Sequence, residues 1–369
     1  MRPQSPAHKI AYPVLVLSLF VLNLFLLFWQ ASISDWHDFD VFLGGASAAL
    51  AGKSIYIVVG QYHLPFWYPP WTAWLFIPLA LWPRSVALLL YQAISAAAAV
   101  LVVHRLSHYY NPKFRLLDEA LILALIVPMS LQLINVGQMD YILLGLVVLA
   151  IWGAENDEHL LVGLLYPFLL TKPHLIIPFT VFLFWRLGKR AILVSLASGL
   201  GMLVLATILA PTWYLELPRV IRESGGRTMG IAFTTLPSLL GGRENWLGTA
   251  NVPFTLLLIL AALLVLWKVR RLATVPHLSL ALALSLLSAP RAYPYDLPLL
   301  VPVMVWLTAN EFPRKAWIWV AGALIPVLAG YGTDAYLLTV LVCSLGVWKA
   351  IAETSRERGI LAQHGIGPP

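Results

Sequence analysis

The amino-acid sequence predicts an all-α polytopic membrane protein, and three observations carry that expectation. Of 369 residues, 60% are hydrophobic and only 11% are charged, a balance that a single water-soluble core cannot absorb. The apolar residues form runs that recur along the whole chain and do not alternate with polar helix faces. The basic residues behind the net charge of +7 fall in short clusters between those runs, where they orient helices in a bilayer. That placement argues against a nucleic-acid partner. The single Cys343 excludes an internal disulfide and a thiolate metal site.

The first apolar run, about 12–30, follows a basic start. It exceeds the length of a signal-peptide core and lacks a small-x-small cleavage site, so a retained helix is expected. Further runs fall at about 84–103, 118–134, 139–153, 159–171, 173–186, 190–210, 253–268, 276–289, 296–309, 316–330 and 336–350, which predicts about twelve transmembrane helices in one integral membrane domain, 1–369. The stretch 159–186 reads either as a pair of half-helices or as one helix broken at Pro173. No short-period repeat and no appended soluble domain is visible.

With the N-terminus cytosolic, 16 of the 24 Lys and Arg fall on the inner side, which places both termini in the cytosol. Counting 69–82 as a further span would put Arg105, Lys113 and Arg115 outside, so that segment is expected to lie at the interface. Trp67, Trp71, Trp74 and Trp82 suit the headgroup level. Residues 38–51 are expected to form a second interfacial helix. The outer surface then consists of loops 31–83 and 211–252, the latter carrying Arg219, Arg222, Arg227 and Arg243, and these loops are expected to form the active-site face.

Candidate chemistry gathers on that face. Asp38 and Asp40, just past the first span, can serve as a general base if partial burial raises a carboxylate pKa. Two residues apart, they cannot share one helix face, so one alone would point into a cavity. Asp38 equally suits an N-cap and Asp40 a first turn, where carboxylates favour the helix dipole. Lys172, in Lys172-Pro173-His174, reads as a phosphate ligand or as a lysine snorkelling from a broken helix. Asn135-Val-Gly137-Gln138-Met-Asp140 reads first as an ordinary polar turn between helices, and alternatively as an outward turn whose amide and carboxylate can bond sugar hydroxyls. Arg291-Ala-Tyr293-Pro-Tyr295-Asp296 offers a guanidinium suited to bidentate phosphate binding, or an Arg291–Asp296 pair that closes a turn. A metal at His37 with Asp35, Asp38 and Asp40 has no supporting His/Cys spacing. There is no P-loop, no dinucleotide-binding glycine pattern and no intramembrane carboxylate series of the kind found in ion pumps.

The order Asp38-Phe-x-x-Phe42, Ala46, Ala48, Leu50-x-Gly52, Tyr56, Tyr68-Pro-Pro70, Pro78-Leu-Ala80, Gly137-Gln138, Lys172-Pro173 and Ser288-Ala-Pro-x-x-Tyr293 resembles glycosyltransferase family 87, bacterial polyprenyl-phosphate-mannose-dependent α-1,2-mannosyltransferases of the GT-C superfamily. The resemblance runs from about residue 10 to 310 and is strongest before residue 80. It implies a GT-C-type helical fold in a bacterial inner membrane and a base in the first outer loop. It also implies hexosyl transfer from a polyprenyl-phosphate donor to a lipid or glycan acceptor, without a metal or other cofactor. Carried onto this chain, it makes Asp38 the base, with Asp40 in reserve, and Lys172 a donor-phosphate ligand. By residue type and position, Arg291 is expected as a second phosphate ligand, and Tyr68, Gln138, Asp140, His174 and Tyr293 as sugar or acceptor ligands. Asp140 departs from the family's frequent Asn. The competing reading is a lipid-linked-sugar flippase without catalysis, which would place its polar residues near the bilayer midplane.

Overall fold

The computed structural model describes residues 6–56, 58–59, 64–224, 251–312, 314–328 and 334–363. Each of the twelve apolar runs coincides with helical structure. In chain order these are α1 (Pro6–Ile33), α5 (Arg84–Tyr110), α6 (Leu116–Val136), α7 (Asp140–Glu155), α8 (His159–Leu169), α9 (Ile177–Leu187), α10 (Lys189–Leu209), α12 (Asn251–Lys268), α13 (Thr274–Ser288), α14 (Val301–Thr308), α15 (Trp317–Leu328) and α16 (Asp334–Gln363). Between α1 and α5 lie α2 (His37–Leu50), α3 (Pro70–Leu75) and α4 (Ile77–Ala80), and α11 (Trp213–Ser224) follows α10. An antiparallel ribbon of β1 (Val58–Val59) and β2 (Leu64–Pro65) pairs Val58 with Pro65 and Val59 with Leu64, a feature the all-α expectation did not include.

Three segments, Arg84–Tyr110, Lys189–Leu209 and Leu337–Arg356, are each long and apolar enough to cross a membrane. On α10 the exposed side chains include Leu193, Leu196, Leu200, Leu203 and Ile208. An apolar helix exposed on this scale needs lipid as its solvent. By contrast, every residue from Val275 to Leu286 of α13 is buried, wrapped by α7, α9, α12, α14 and α16. The chain is therefore an all-α polytopic membrane protein with α13 at its centre. Gly163 shows how tightly its helices meet: a Cβ there would come within 2.3 Å of Val194 Cγ1 on α10. Small residues of this kind let membrane helices approach backbone to backbone.

Segment 159–186 resolves into two helices. Pro173 has no N–H to continue a helical ladder and disfavours helical geometry in the residue before it. Lys172 accordingly adopts φ −125°, ψ 68°, and a 3-10 turn over Pro173–Leu175 leads into α9. The 69–82 segment forms only α3 and α4, too short to span, in keeping with an interfacial position.

The first outer loop has its own core. Phe39, Phe42, Phe66 and Phe76 are fully or almost fully buried, together with Ala87 and Tyr91 of α5. Phe42 stacks on Phe76 at 4.6 Å, and each such buried ring is worth about 1.5–3 kcal/mol. Two of the tryptophans expected at the headgroup level also make tertiary contacts. Trp71 is buried and meets Trp213 edge-on at 6.2 Å, and the half-buried Trp67 is covered by Arg291, whereas Trp82 remains exposed.

The loop core is pinned to the bundle at Gly137. This residue ends α6 in the left-handed conformation, φ 77°, and an added Cβ would lie 2.7 Å from Phe39 Cβ. Gly137→Ala should therefore lower stability by about 1–2 kcal/mol from backbone strain alone, with a further loss from displacing Phe39. A reduced thermal midpoint in nanodiscs would register this, and an unchanged midpoint would contradict it.

Candidate active site

Four helix junctions meet at one end of the bundle: α1 to α2, α6 to α7, α8 to α9, and the segment after α13. The first is set by Trp36, which takes φ 50° and ψ 29° and whose N–H donates to Asn135 O at 3.3 Å. This left-handed residue turns the chain sharply out of α1, so that α2 starts against the end of α6. Trp36 also occupies the cap position of α2. Asp38 is therefore a first-turn residue and not the N-cap.

Asp38 and Asp40 diverge as their spacing requires. Asp40 receives a bidentate pair from Arg84, Nε to Oδ1 at 2.6 Å and Nη2 to Oδ2 at 2.9 Å. Asp38 turns inward, its side chain 20% exposed, with His37 Nε2 3.5 Å from Oδ1. The Gln138 amide donates to Asp38 Oδ2. Burial pushes the Asp38 carboxyl above the usual range, opposed by His37, by the Gln138 hydrogen bond, and by Lys172 and Arg291.

The turn that carries Gln138 is itself held. Tyr91 OH donates to the carbonyls of Gly137 and Gln138. Tyr68 OH and Gln138 Nε2 are 3.3 Å apart, and Tyr56 OH donates to Tyr68 O at 3.2 Å. Burial pushes the Tyr68 phenol up to about 12, so it remains a neutral donor beside Asp38. Thr72 of α3 and Thr171 before Lys172 meet at 3.3 Å, joining the outer loop to the α8–α9 break.

Lys172 and Asp140 occupy a different place from the one expected for ligands. Lys172 Nζ donates to Asp140 Oδ1 at 2.7 Å, to Asp140 Oδ2 at 2.8 Å and to Asp296 Oδ1 at 2.8 Å. Those bonds occupy the three donors of an ammonium. Asp140 is fully buried and Lys172 only 4% exposed, with Nζ also 4.8 Å from the Tyr295 ring centroid. Direct phosphate binding by Lys172 would require displacing a carboxylate, and Asp140 offers a sugar no accessible oxygen.

Asp296 Oδ1 accepts from Lys172 Nζ, and its Oδ2 accepts from Tyr293 N–H at 2.7 Å. The Arg291 guanidinium lies 5.2 Å from the Trp67 ring centroid and 4.6 Å from that of Tyr293, and Tyr293 stacks on Tyr295 at 4.8 Å. His174, partly buried in the 3-10 turn, lies in the electrostatic field of Asp296, Lys172 and Arg291. Arg227 and Arg243 of the second outer loop fall outside the described residues.

Asp296, Trp67 and Arg84 were not expected as partners of Lys172, Arg291 and Asp40. Asp296 and Arg84 were visible as charged residues at the edges of apolar runs, but nothing local paired them. The Lys172 triad carries a stability prediction. Lys172→Met would leave Asp140 and Asp296 buried without a cation, a change that costs about 3–5 kcal/mol when one partner of a buried pair is lost. Arg84→Met, which breaks the more exposed pair with Asp40, should cost no more than about 1 kcal/mol. Unfolding midpoints in lipid nanodiscs measure both, and equal losses would contradict the ranking.

No curated protein matches the chain. The model of glycosyltransferase family 87 matches residues 66–290. The match takes in Tyr68, Gln138, Asp140, Lys172 and His174, while Asp38 precedes it and Arg291 and Tyr293 lie just beyond. It covers more than half of the chain, which makes this protein a membrane-embedded member of glycosyltransferase family 87.

Proposed function

We propose that the protein transfers a hexose, with mannose the preferred sugar, from a polyprenyl-phosphate donor to a lipid or glycan acceptor, with inversion at the anomeric carbon and Asp38 as general base. The observation that carries this reading is the Asp38 carboxylate, inward-turned and held by Gln138 with Arg291 in its electrostatic field. Asp40 is spent on Arg84. Asp38 accepts the acceptor hydroxyl proton as that oxygen attacks the anomeric carbon. The bond from that carbon to the phosphate oxygen breaks, and polyprenyl phosphate leaves with the electron pair.

Arg291 is the cation that meets the leaving phosphate, since a guanidinium pairs with phosphate oxygens in a bidentate way. Lys172 contributes through its field and by holding Asp296 beneath the Arg291 segment. Tyr68, Tyr293 and His174 line the same region and supply hydroxyl and imidazole contacts to the sugar or acceptor. The working face takes in the described parts of outer loops 31–83 and 211–252, in a single domain in a bacterial inner membrane; residues 225–250 lie outside the described residues. The distribution of basic residues puts that face outside and both termini in the cytosol.

Asp38→Asn should lower turnover by about 10²–10⁴-fold, the usual contribution of a general base, with the protein still inserted and folded. Asp40→Asn should retain most activity. Incubating each purified variant with radiolabelled polyprenyl-phosphate-mannose and candidate acceptors tests this. A dead Asp40→Asn beside an active Asp38→Asn would reverse the assignment. Labelled product formed without a transmembrane gradient would also exclude transport as the activity.

A further inference from the structure

At the other end of α5, three side chains outside the proposed active site converge. His104 and His108 lie four residues apart and so share one helix face, and Glu119 reaches them from the first turn of α6. His104 Nδ1 is 3.2 Å from Glu119 Oε2, and His108 Nε2 is 2.8 Å from Glu119 Oε1. The two imidazole centroids are 4.6 Å apart. One donor atom from each residue can be chosen so that all three lie within 4.8 Å of one another.

We propose that His104, His108 and Glu119 bind a first-row divalent transition cation, Zn²⁺ foremost. Two imidazoles and one carboxylate form a donor set used by zinc, and imidazole-rich sites suit d-block cations over Mg²⁺ or Ca²⁺. Tetrahedral zinc with Zn–N bonds of about 2.0–2.1 Å places neighbouring ligand atoms roughly 3.3 Å apart; the two His–Glu119 separations, 3.2 and 2.8 Å, are near that value, and the whole set needs only to close in from within 4.8 Å. The burial gradient fits as well. The Glu119 side chain is 6% exposed, whereas His108 and His104 are 37% and 52% exposed. The anionic ligand thus lies on the protein side, and a fourth position stays open to solvent. A buried carboxylate needs a cation or strong donors, and the neighbouring Asp118 is already taken up by Arg115 and by Tyr12 of α1.

The site is remote from the proposed chemistry. His104 follows Arg84 by 20 residues along α5, which is about 30 Å at 1.5 Å per residue. The bound ion would clamp α5 to α6 across the turn at 111–115. The H-x-x-x-H spacing was readable in the sequence, but its third ligand lies 11 residues further on, beyond a helix boundary.

The test uses the full-length protein in nanodiscs, stripped with chelator and titrated with Co²⁺ as an optical probe. The expected result is one Co²⁺ per chain with visible ligand-field bands, displaced by Zn²⁺. His104→Ala, His108→Ala and Glu119→Gln should each weaken binding by about 100-fold or more, ligand loss exceeding the effect of losing an outer-shell partner. X-ray absorption of the wild-type Zn²⁺ form should show two imidazoles plus oxygen at about 2.0–2.1 Å, a readout independent of how the variants fold. Absence of bands in the wild type, undiminished affinity in folded variants, or a shell without imidazole would each overturn the proposal. None of these readouts depends on glycosyl transfer.

Discussion

The buried triad of Lys172 with Asp140 and Asp296 is the interaction on which the arrangement at this end of the bundle depends. Its members come from the start of α7, from the break between α8 and α9, and from the turn after α13. One ammonium donating to three carboxylate oxygens holds these separate junctions together. In a bilayer, backbone that leaves helical geometry is tolerated only where its polar groups are satisfied by protein or by a wet cavity. Asp296 Oδ2 meets that condition for one such group, the Tyr293 N–H. The triad also fixes the Arg291 segment relative to the Gln138 turn. The cost of burying three charged groups is met only while all three are present, which is why the triad determines structure locally and cannot easily release Lys172 to a ligand.

Around this anchor the first outer loop is built as a separate aromatic unit seated on α5 and on the Gly137 turn. Phe39 packs where only a glycine fits beneath it, and Asp38, one residue earlier, is carried to Gln138 by the same contact. Position and chemistry are thus coupled through adjacent residues: the apolar side chain docks the helix and the acidic one faces the site. Arg84 holds Asp40 on the other side of α2, which keeps the helix from rotating the wrong carboxylate inward.

Much of the helical architecture was legible because apolar runs and proline breaks act locally. The twelve runs all fall on helical structure, Pro173 ends one helix and delays the next, and Gly137 ends α6 as a left-handed cap. The separation of Asp38 from Asp40 also followed from helical spacing alone. The partners did not follow. Asp296 lies 124 residues from Lys172 and Arg84 lies 44 from Asp40, and no local pattern selects such pairs. Trp67 and Trp71 read as headgroup anchors because indole rings favour the interface, a preference that says nothing of their tertiary contacts with Arg291 and Trp213. Trp36 gave no sign of its left-handed backbone, since bulky residues rarely adopt it.

The central claim is that Asp38, buried enough to be basic and held by Gln138, takes the acceptor proton. Its most direct measurement is the pH dependence of kcat/KM in the wild type and in Gln138→Leu. A base works ionised, so activity should fall as pH drops through the Asp38 pKa, with a midpoint above the usual Asp value of about 4. The Gln138 hydrogen bond favours the ionised carboxylate, so removing it should move that acid limb to still higher pH. An acid limb at the ordinary carboxylate position, unmoved by Gln138→Leu, would contradict the account.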